Sequence, residues 1–190
     1  MQVETTSFQG LLILQPKLHT DERGSFSESF RLDVLEEALD HEVDFVQDNE
    51  TYSEFGIIRG LHYQAAPFSQ SKLVRVVQGK VWDVVVDLRV HSKAFKKVFG
   101  IELSAENKKQ LFVPRGFAHG YSTLSKSSLF QYKVDNYYNK ESEHSIQFDD
   151  NSLAIDWQLP EGSRIVSEKD KRNPPLDKAV VFDSKASLYA

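Results

Sequence analysis

At 190 residues, with 40% hydrophobic and 27% charged side chains, the chain has the size and composition of one soluble globular domain with a sizeable core. Its formal charge of -5 argues against a general nucleic-acid or membrane-surface binder, although a few local Arg and Lys residues can still hold one anionic small molecule. The lack of cysteine excludes disulfides and thiolate metal sites, no apolar run approaches the roughly 20 residues that span a bilayer, and residues 1–10 lack a signal pattern, so a cytoplasmic protein is expected.

In chain order, the first polar constellation is DERGSFSESF, residues 21–30, where Arg23, Phe26 and Glu28 surround Gly24. It reads as an exposed turn followed by an edge strand, although an arginine beside an aromatic also suits a phosphate and a stacked base. LDVLEEALD, residues 32–40, sets Leu32, Leu35 and Leu39 at helical spacing with acids between them. FVQDNETYS, residues 45–53, carries Gln47 and Asn49, amides that suit sugar hydroxyls or carbonyls and equally suit plain exposure. GIIRGLHYQ, residues 56–64, packs Arg59, His62, Tyr63 and Gln64 among apolar residues. A strand histidine is more often structural than catalytic. Arg59 and Lys72 shift that balance, because cations placed beside a core ask for an anionic partner.

KLVRVVQGKVWDVVVDLR, residues 72–89, is two valine-rich runs around Gln78 and Gly79, and predicts a hairpin. Lys72 ends the row of Val74 and Val76. In the second run Trp82, Val84, Val86 and Leu88 make an apolar face expected to point at the core. Val81, Asp83, Val85 and Asp87 make a mixed one. Residues 97–104, 109–114 and 127–138 are further strand candidates; an unbroken last strand puts Tyr132, Val134, Asn136 and Tyr138 on one face. A short helix after Glu168 would stop at Pro174 and Pro175. Many short strands and little helix predict a mainly β fold, a jelly-roll barrel with a few short helices in one domain over residues 1–190.

FVPRGFAHGY, residues 112–121, holds His119 in a path bent by Pro114, Gly116 and Gly120. Its Pro-x-Gly-x-x-His spacing resembles the second motif of the cupin superfamily, whose histidine often binds a metal. A metal needs about three or four convergent ligands. RGLHYQ offers one histidine followed by Tyr and Gln, so no metal is expected.

Taken together, RGLHYQ, QSKLVRVVQGKVWDVVVDLR, FVPRGFAHGY, YKVDNYY and SEKD stand in the order and spacing of the dTDP-4-dehydrorhamnose 3,5-epimerase family, from about residue 8 to about 176. The resemblance implies a cupin-type jelly roll, a homodimer to which the N-terminal strands contribute, a C-terminal tail from about residue 171, and no cofactor. It implies a dTDP-4-keto-6-deoxy sugar as substrate and no nucleic-acid or membrane partner. By that resemblance His62 is the catalytic base, Asp170 its carboxylate partner, Tyr132 the general acid on the opposite face of the sugar, Lys72 the lysine near the keto oxygen, and His119 the second active-site histidine. Arg23, Phe26, Glu28, Gln47, Asn49, Arg59, Tyr138 and Glu143 match positions lining the nucleotide and sugar pocket, as Lys72 and His119 also do. His19 stands where relatives often carry an aromatic, and Tyr121 replaces a frequent Phe.

These residue types suit the chemistry. A C4 ketone acidifies the protons on C3 and C5, so epimerisation needs a base on one face, an acid on the other, and positive charge at the C4 oxygen. An epimerase acting at C3 only or C5 only is the nearest alternative; a metal-dependent cupin and a non-catalytic sugar-nucleotide module are the more distant ones.

Overall fold

The computed structural model describes residues 1–183 and 188; the end of the expected C-terminal tail, residues 184–187 and 189–190, lies outside the described residues. The chain opens with β1 (Gln2–Thr5), β2 (Leu12–Gln15), a small ribbon of β3 (His19–Asp21) and β4 (Gly24–Phe26), and helix α1 (Leu32–Leu39). The barrel strands are β5 (Gln47–Glu54), β6 (Ile57–Gln64), β7 (Lys72–Gln78), β8 (Lys80–Asp87), β9 (Val98–Ser104), β10 (Gln110–Val113), β11 (Phe117–Thr123) and β12 (Ser127–Val134). Two short strands, β13 (Glu143–Ser145) and β14 (Ile165–Val166), flank β6. One sheet runs β1-β2-β10-β7-β12-β5 and the other β13-β6-β11-β8-β9. They face each other as a jelly roll, the expected class.

The period-2 pattern explains which side chains enter the barrel. Along β5, Asp48, Glu50, Tyr52 and Glu54 are exposed, whereas Gln47, Asn49, Thr51 and Ser53 alternate inward. On β7 the row Lys72, Val74 and Val76, which shares one parity, is the inward one, and both valines join the barrel core with Leu111, Phe130 and Val85.

Strand β8 departs from expectation. Its mixed face, not its apolar one, looks into the barrel: Val81 and Val85 sit in the barrel core, and Asp83 is fully buried beside them. The apolar face of Val84, Val86 and Leu88 packs under the chain that follows β13, against Trp157, Leu159, Leu176 and Phe182. Each large side chain buried there contributes about 1.5–3 kcal/mol. The segment after residue 171 is therefore folded down over the sheet as far as Phe182, which pairs with Arg89. The hydrophobic pattern alone does not distinguish a barrel lumen from an outer face that a later segment will cover.

Two further differences concern ends of elements. Strand β12 stops at Val134, because the Asp135 carboxylate turns inward to accept the Ser71 amide at 2.6 Å and Arg115 Nε at 2.9 Å. The expected face through Tyr138 is thus broken into a strand and a loop. Between Glu168 and Pro174 the chain makes a 3₁₀ turn rather than a helix, Asp170–Arg172, which buries Asp170. In α1 only Leu35 is fully buried; Leu32 is exposed. No helix among the described residues is long and apolar enough to cross a membrane.

Candidate active site

A cavity of about 390 Å³ opens between the two sheets. One wall comes from the sheet that ends in β5: Gln47, Asn49 and Thr51 on β5, Lys72 on β7, and Phe130 and Tyr132 on β12. Register fixes this wall, since Tyr132 lies opposite Asn49 on one side and Val74 on the other, and Val134 pairs with both Gln47 and Lys72. The facing wall carries Arg59, His62 and Gln64 on β6 and His119 and Tyr121 on β11, with Glu143 and Tyr138 beside them.

The two histidines meet because β6 and β11 run unusually close. Gly60 has φ +124°, and a Cβ there would stand 2.6 Å from Gly120 Cα. Beside this contact the register shifts between His119 and Tyr121, and His119 comes to lie directly opposite His62.

His62 donates from Nε2 to Asp170 Oδ1 at 2.6 Å, an ion-pair geometry with a carboxylate whose side chain is 6% exposed. Burial pushes the Asp170 carboxyl up, but the hydrogen bond and charge of His62 outweigh it and hold Asp170 below its usual value. With Nε2 committed, Nδ1 is left as the basic nitrogen of the neutral ring. His119 donates from Nε2 to both oxygens of Asp83, at 3.0 and 2.9 Å.

On the facing wall, burial raises the Tyr132 phenol, Tyr121 adds to that, and Arg59 opposes it, so the hydroxyl stays protonated at neutral pH. Lys72 Nζ lies 5.9 Å from the centre of the Tyr132 ring. Dehydration pulls its ammonium down to about 8 although part of the side chain faces the cavity; Asp83 and Glu143 oppose the fall. Glu143 itself is lifted by burial but held below the usual carboxylate range by Lys169, 2.8 Å away, with Tyr138 donating to it at 3.1 Å.

The fold thus brings together His62, Asp170, Tyr132, Lys72, His119, Gln47, Asn49, Arg59, Tyr138 and Glu143. Arg23, Phe26 and Glu28 are not brought there within one chain. Arg23 pairs with Asp21 at 2.6 Å on the β3–β4 ribbon with its side chain 85% exposed, Phe26 is 67% exposed, and Glu28 is exposed just beyond. His19 lies on the same ribbon, its ring 6.5 Å from that of Phe26.

Sequence reasoning missed several participants. Asp83 was legible only as an acid in a valine-rich strand. Tyr121 looked like a minor exchange, yet its hydroxyl bonds Thr51 at 2.8 Å and Ser53 at 3.1 Å, and Ser53 in turn accepts Arg59 Nε at 3.0 Å. Gln64 accepts the Asn139 amide at 2.9 Å and so pins the loop bearing Tyr138. Gln70 lines the cavity while donating to the Asn136 carbonyl at 2.7 Å. Tyr63 is an anchor, its hydroxyl donating to the Val180 carbonyl at 3.0 Å.

A larger hollow of about 540 Å³ lies outside the β5-bearing sheet. Its charged groups already satisfy one another: Lys133 with Asp48 at 2.9 Å, and Gln131 with both Arg75 and Glu50 at 2.9 and 2.6 Å. It offers no general base facing a general acid. Among the described residues no three His, Asp or Glu side chains converge as metal ligands.

A jelly roll whose cavity sets an imidazole–carboxylate pair against a buried tyrosine and a lysine defines a cupin-like proton-transfer isomerase. The dTDP-4-dehydrorhamnose 3,5-epimerase family matches residues 5–178, and the chain belongs to that family. It is 49% identical over 170 residues to the dTDP-4-dehydrorhamnose 3,5-epimerase of Shigella flexneri, covering 90% of this chain and 93% of that one. The crystal structure of the Elizabethkingia anophelis dTDP-4-dehydrorhamnose 3,5-epimerase superposes with a TM-score of 0.91 at 48% identity, covering 95% of this chain and 99% of that one. The Legionella pneumophila enzyme, crystallised with dTDP-4-keto-L-rhamnose, gives 0.91 at 43% identity over 97% and 98% of the two chains.

Proposed function

We infer that this protein epimerises dTDP-4-dehydro-6-deoxy-D-glucose at C3 and C5 to dTDP-4-dehydro-L-rhamnose, the precursor of dTDP-L-rhamnose. The observation that carries the residue roles is the placement of His62–Asp170 on one wall and Tyr132 on the other. Nδ1 of His62 removes the proton from C3 or C5, and Asp170 holds the ring in that tautomer and stabilises the imidazolium that forms. The electron pair moves into the C4 ketone, which serves as the electron sink. Lys72 stabilises the resulting enolate oxygen, and His119, whose Nε2–H is committed to Asp83, presents Nδ1 as an acceptor to a hydroxyl of the substrate. Tyr132 delivers a proton to the opposite face and takes it back before the next cycle. Arg59, exposed at the cavity edge, suits the diphosphate, and Gln47 and Asn49 suit hydroxyls and carbonyls of the sugar nucleotide.

The working enzyme in this reading is a cytoplasmic homodimer. The exposed Phe26 and Arg23, and the position of β5 at a sheet edge, suit a second copy that brings Arg23, Phe26 and Glu28 to its neighbour's cavity. Phe26→Ala then raises KM with little change in Tm, and light scattering gives twice the chain mass; a monomeric active enzyme would exclude the shared site.

Incubation with the 4-keto sugar nucleotide in heavy water tests the reaction. Deuterium enters at both C3 and C5, with the L-configured product. Exchange at one carbon alone would point to a mono-epimerase, and dTDP binding without exchange to a non-catalytic module.

A further inference from the structure

Four side chains at the cavity form a hydrogen-bond chain that crosses from one sheet to the other. Arg59 Nε donates to Ser53 Oγ at 3.0 Å, Ser53 Oγ lies 3.1 Å from the Tyr121 hydroxyl, and that hydroxyl lies 2.8 Å from Thr51 Oγ1. Arg59 and Tyr121 face each other on β6 and β11, while Thr51 and Ser53 belong to the inward row of β5 in the other sheet. The Tyr121 ring therefore spans the barrel. Stacking holds it there, 4.3 Å from the Phe130 ring and 15° from parallel to it. Tyr121 is 4% exposed and Ser53 1% exposed, whereas Thr51 and Arg59 line the cavity.

The chain has one direction. A guanidinium only donates, so Ser53 accepts at that end. The Ser53 hydroxyl is buried, and its one remaining partner among the described residues is the Tyr121 oxygen, so Ser53 donates to Tyr121. Tyr121 therefore commits its own proton to Thr51. Thr51 Oγ1 accepts it, has no other partner among the described residues, and keeps its own proton for the cavity. We propose that Tyr121 is a positioning residue: it carries the polarity set by Arg59 to Thr51, and so makes Thr51 a hydrogen-bond donor to a phosphoryl oxygen of the bound nucleotide diphosphate. This deepens the sugar-nucleotide reading given above and rests on it.

The chemistry of the two ends selects an anionic oxygen. Both ends meet the cavity, and one is a guanidinium whose Nη2 donates to the Tyr52 carbonyl at 3.2 Å and whose Nη1 has no partner among the described residues. A planar fork with a donor to spare suits a phosphate. A hydroxyl that already accepts a bond donates more strongly, and a chain headed by a cation is polarised along its length. An anionic acceptor gains most from such a donor. Gln47 and Asn49 lie further along the same row of β5 and offer amides, which suit hydroxyls and carbonyls. The two ends of that row thus serve different parts of one ligand.

Titrations of the whole protein with dTDP and with thymidine test this. Thr51→Val removes the proton at nearly constant shape and raises the Kd for dTDP about tenfold. The Kd for thymidine, which has no phosphoryl group, changes less than about twofold. Thr51→Ser restores the donor and keeps the dTDP Kd within about threefold of the native value. Tyr121→Phe raises the dTDP Kd about fivefold in the native background and less than about twofold on top of Thr51→Val, because it acts through that hydroxyl. Unchanged dTDP affinity in Thr51→Val, an equal loss for thymidine, or a Thr51→Ser as weak as Thr51→Val overturns the proposal. Additive effects of Tyr121→Phe and Thr51→Val also overturn it and leave Tyr121 a strut between the sheets. If the native protein does not bind dTDP, the sugar-nucleotide reading fails and takes this assignment with it. If it does bind dTDP and any of the contrary results appears, the assignment fails alone.

Discussion

The two walls of the cavity are built on opposite electrostatic plans. The β6–β11 wall is made of rings backed by carboxylates, His62 by Asp170 and His119 by Asp83. On the β5–β7–β12 wall the carboxylates of Asp48 and Glu50 lie on the outer face, bonded to Lys133 and Gln131 rather than to a cavity side chain. To the cavity this wall presents amides, the hydroxyl of Tyr132 and the ammonium of Lys72. Proton abstraction needs a base whose cationic form is stabilised, and the first wall supplies that. Reprotonation from the other face needs a weak acid that keeps its proton, and burial of Tyr132 supplies that. In the proposed reaction an inversion therefore needs both walls, a base on one and an acid on the other.

Breaking the base wall has the largest effect. His62→Asn keeps a polar side chain of smaller size and removes the base, so both inversion and deuterium exchange at C3 and C5 fall by about 10³–10⁴. NMR of the sugar in heavy water measures both at once. Tyr132→Phe breaks only the acid wall. Inversion falls by about 10²–10³, but exchange with retention persists, since His62 still removes a proton and returns one to the same face. Equal loss of exchange and inversion in Tyr132→Phe would mean that the walls do not act separately. Lys72→Met sharpens the comparison further: kcat falls about 10²-fold with both exchange and inversion reduced together, because the enolate itself is destabilised. In the unmodified enzyme, activity declines as pH rises through about 8, where Lys72 loses its proton.

How much of this was legible beforehand depended on whether the pairing was local. The alternation in residues 72–89 located β7 and β8 and grouped Lys72, Val74 and Val76 in one row, which is the row that faces inward. The same alternation misassigned β8, since the cover for Val84 and Val86 is chain 70 residues and more downstream, and no local period reports it. His62 and His119 stood out as residues, yet their facing position depends on the glycine contact between β6 and β11. Asp170 came only from the family likeness, because its tie to His62 crosses 108 residues. Asp83 is a local case: it lies in a strand that was located correctly but assigned the wrong inward face, and an acid in a mixed face has no mark that distinguishes a buried partner from an exposed one. Arg23, Phe26 and Glu28 mark where single-chain reasoning stops, since nothing within this fold carries their ribbon to the cavity.

The smallest effect expected is on stability, and it again separates the walls. Asp170 belongs to the segment folded over the β6-bearing sheet, and its bond to His62 ties that segment to the strand beneath. Asp170→Asn therefore destabilises the protein at pH 7 by about 2 kcal/mol, the scale of a hydrogen bond to a charged group. Tyr132→Phe, which breaks no hydrogen bond among the described residues, changes stability far less. The pH dependence has a definite sign. The folded-state pKa of Asp170 is depressed below its usual value of 3.8, so folding favours the carboxylate. Its stabilisation is fully present above the unfolded pKa and is lost as pH falls through the lower, folded one. Denaturant melts at pH 7 then show a wide gap between the native protein and Asp170→Asn, and the gap narrows as pH falls below about 4. A gap unchanged across that range would mean that Asp170 holds the segment by packing, and that the charge pair serves His62 without holding the wall together.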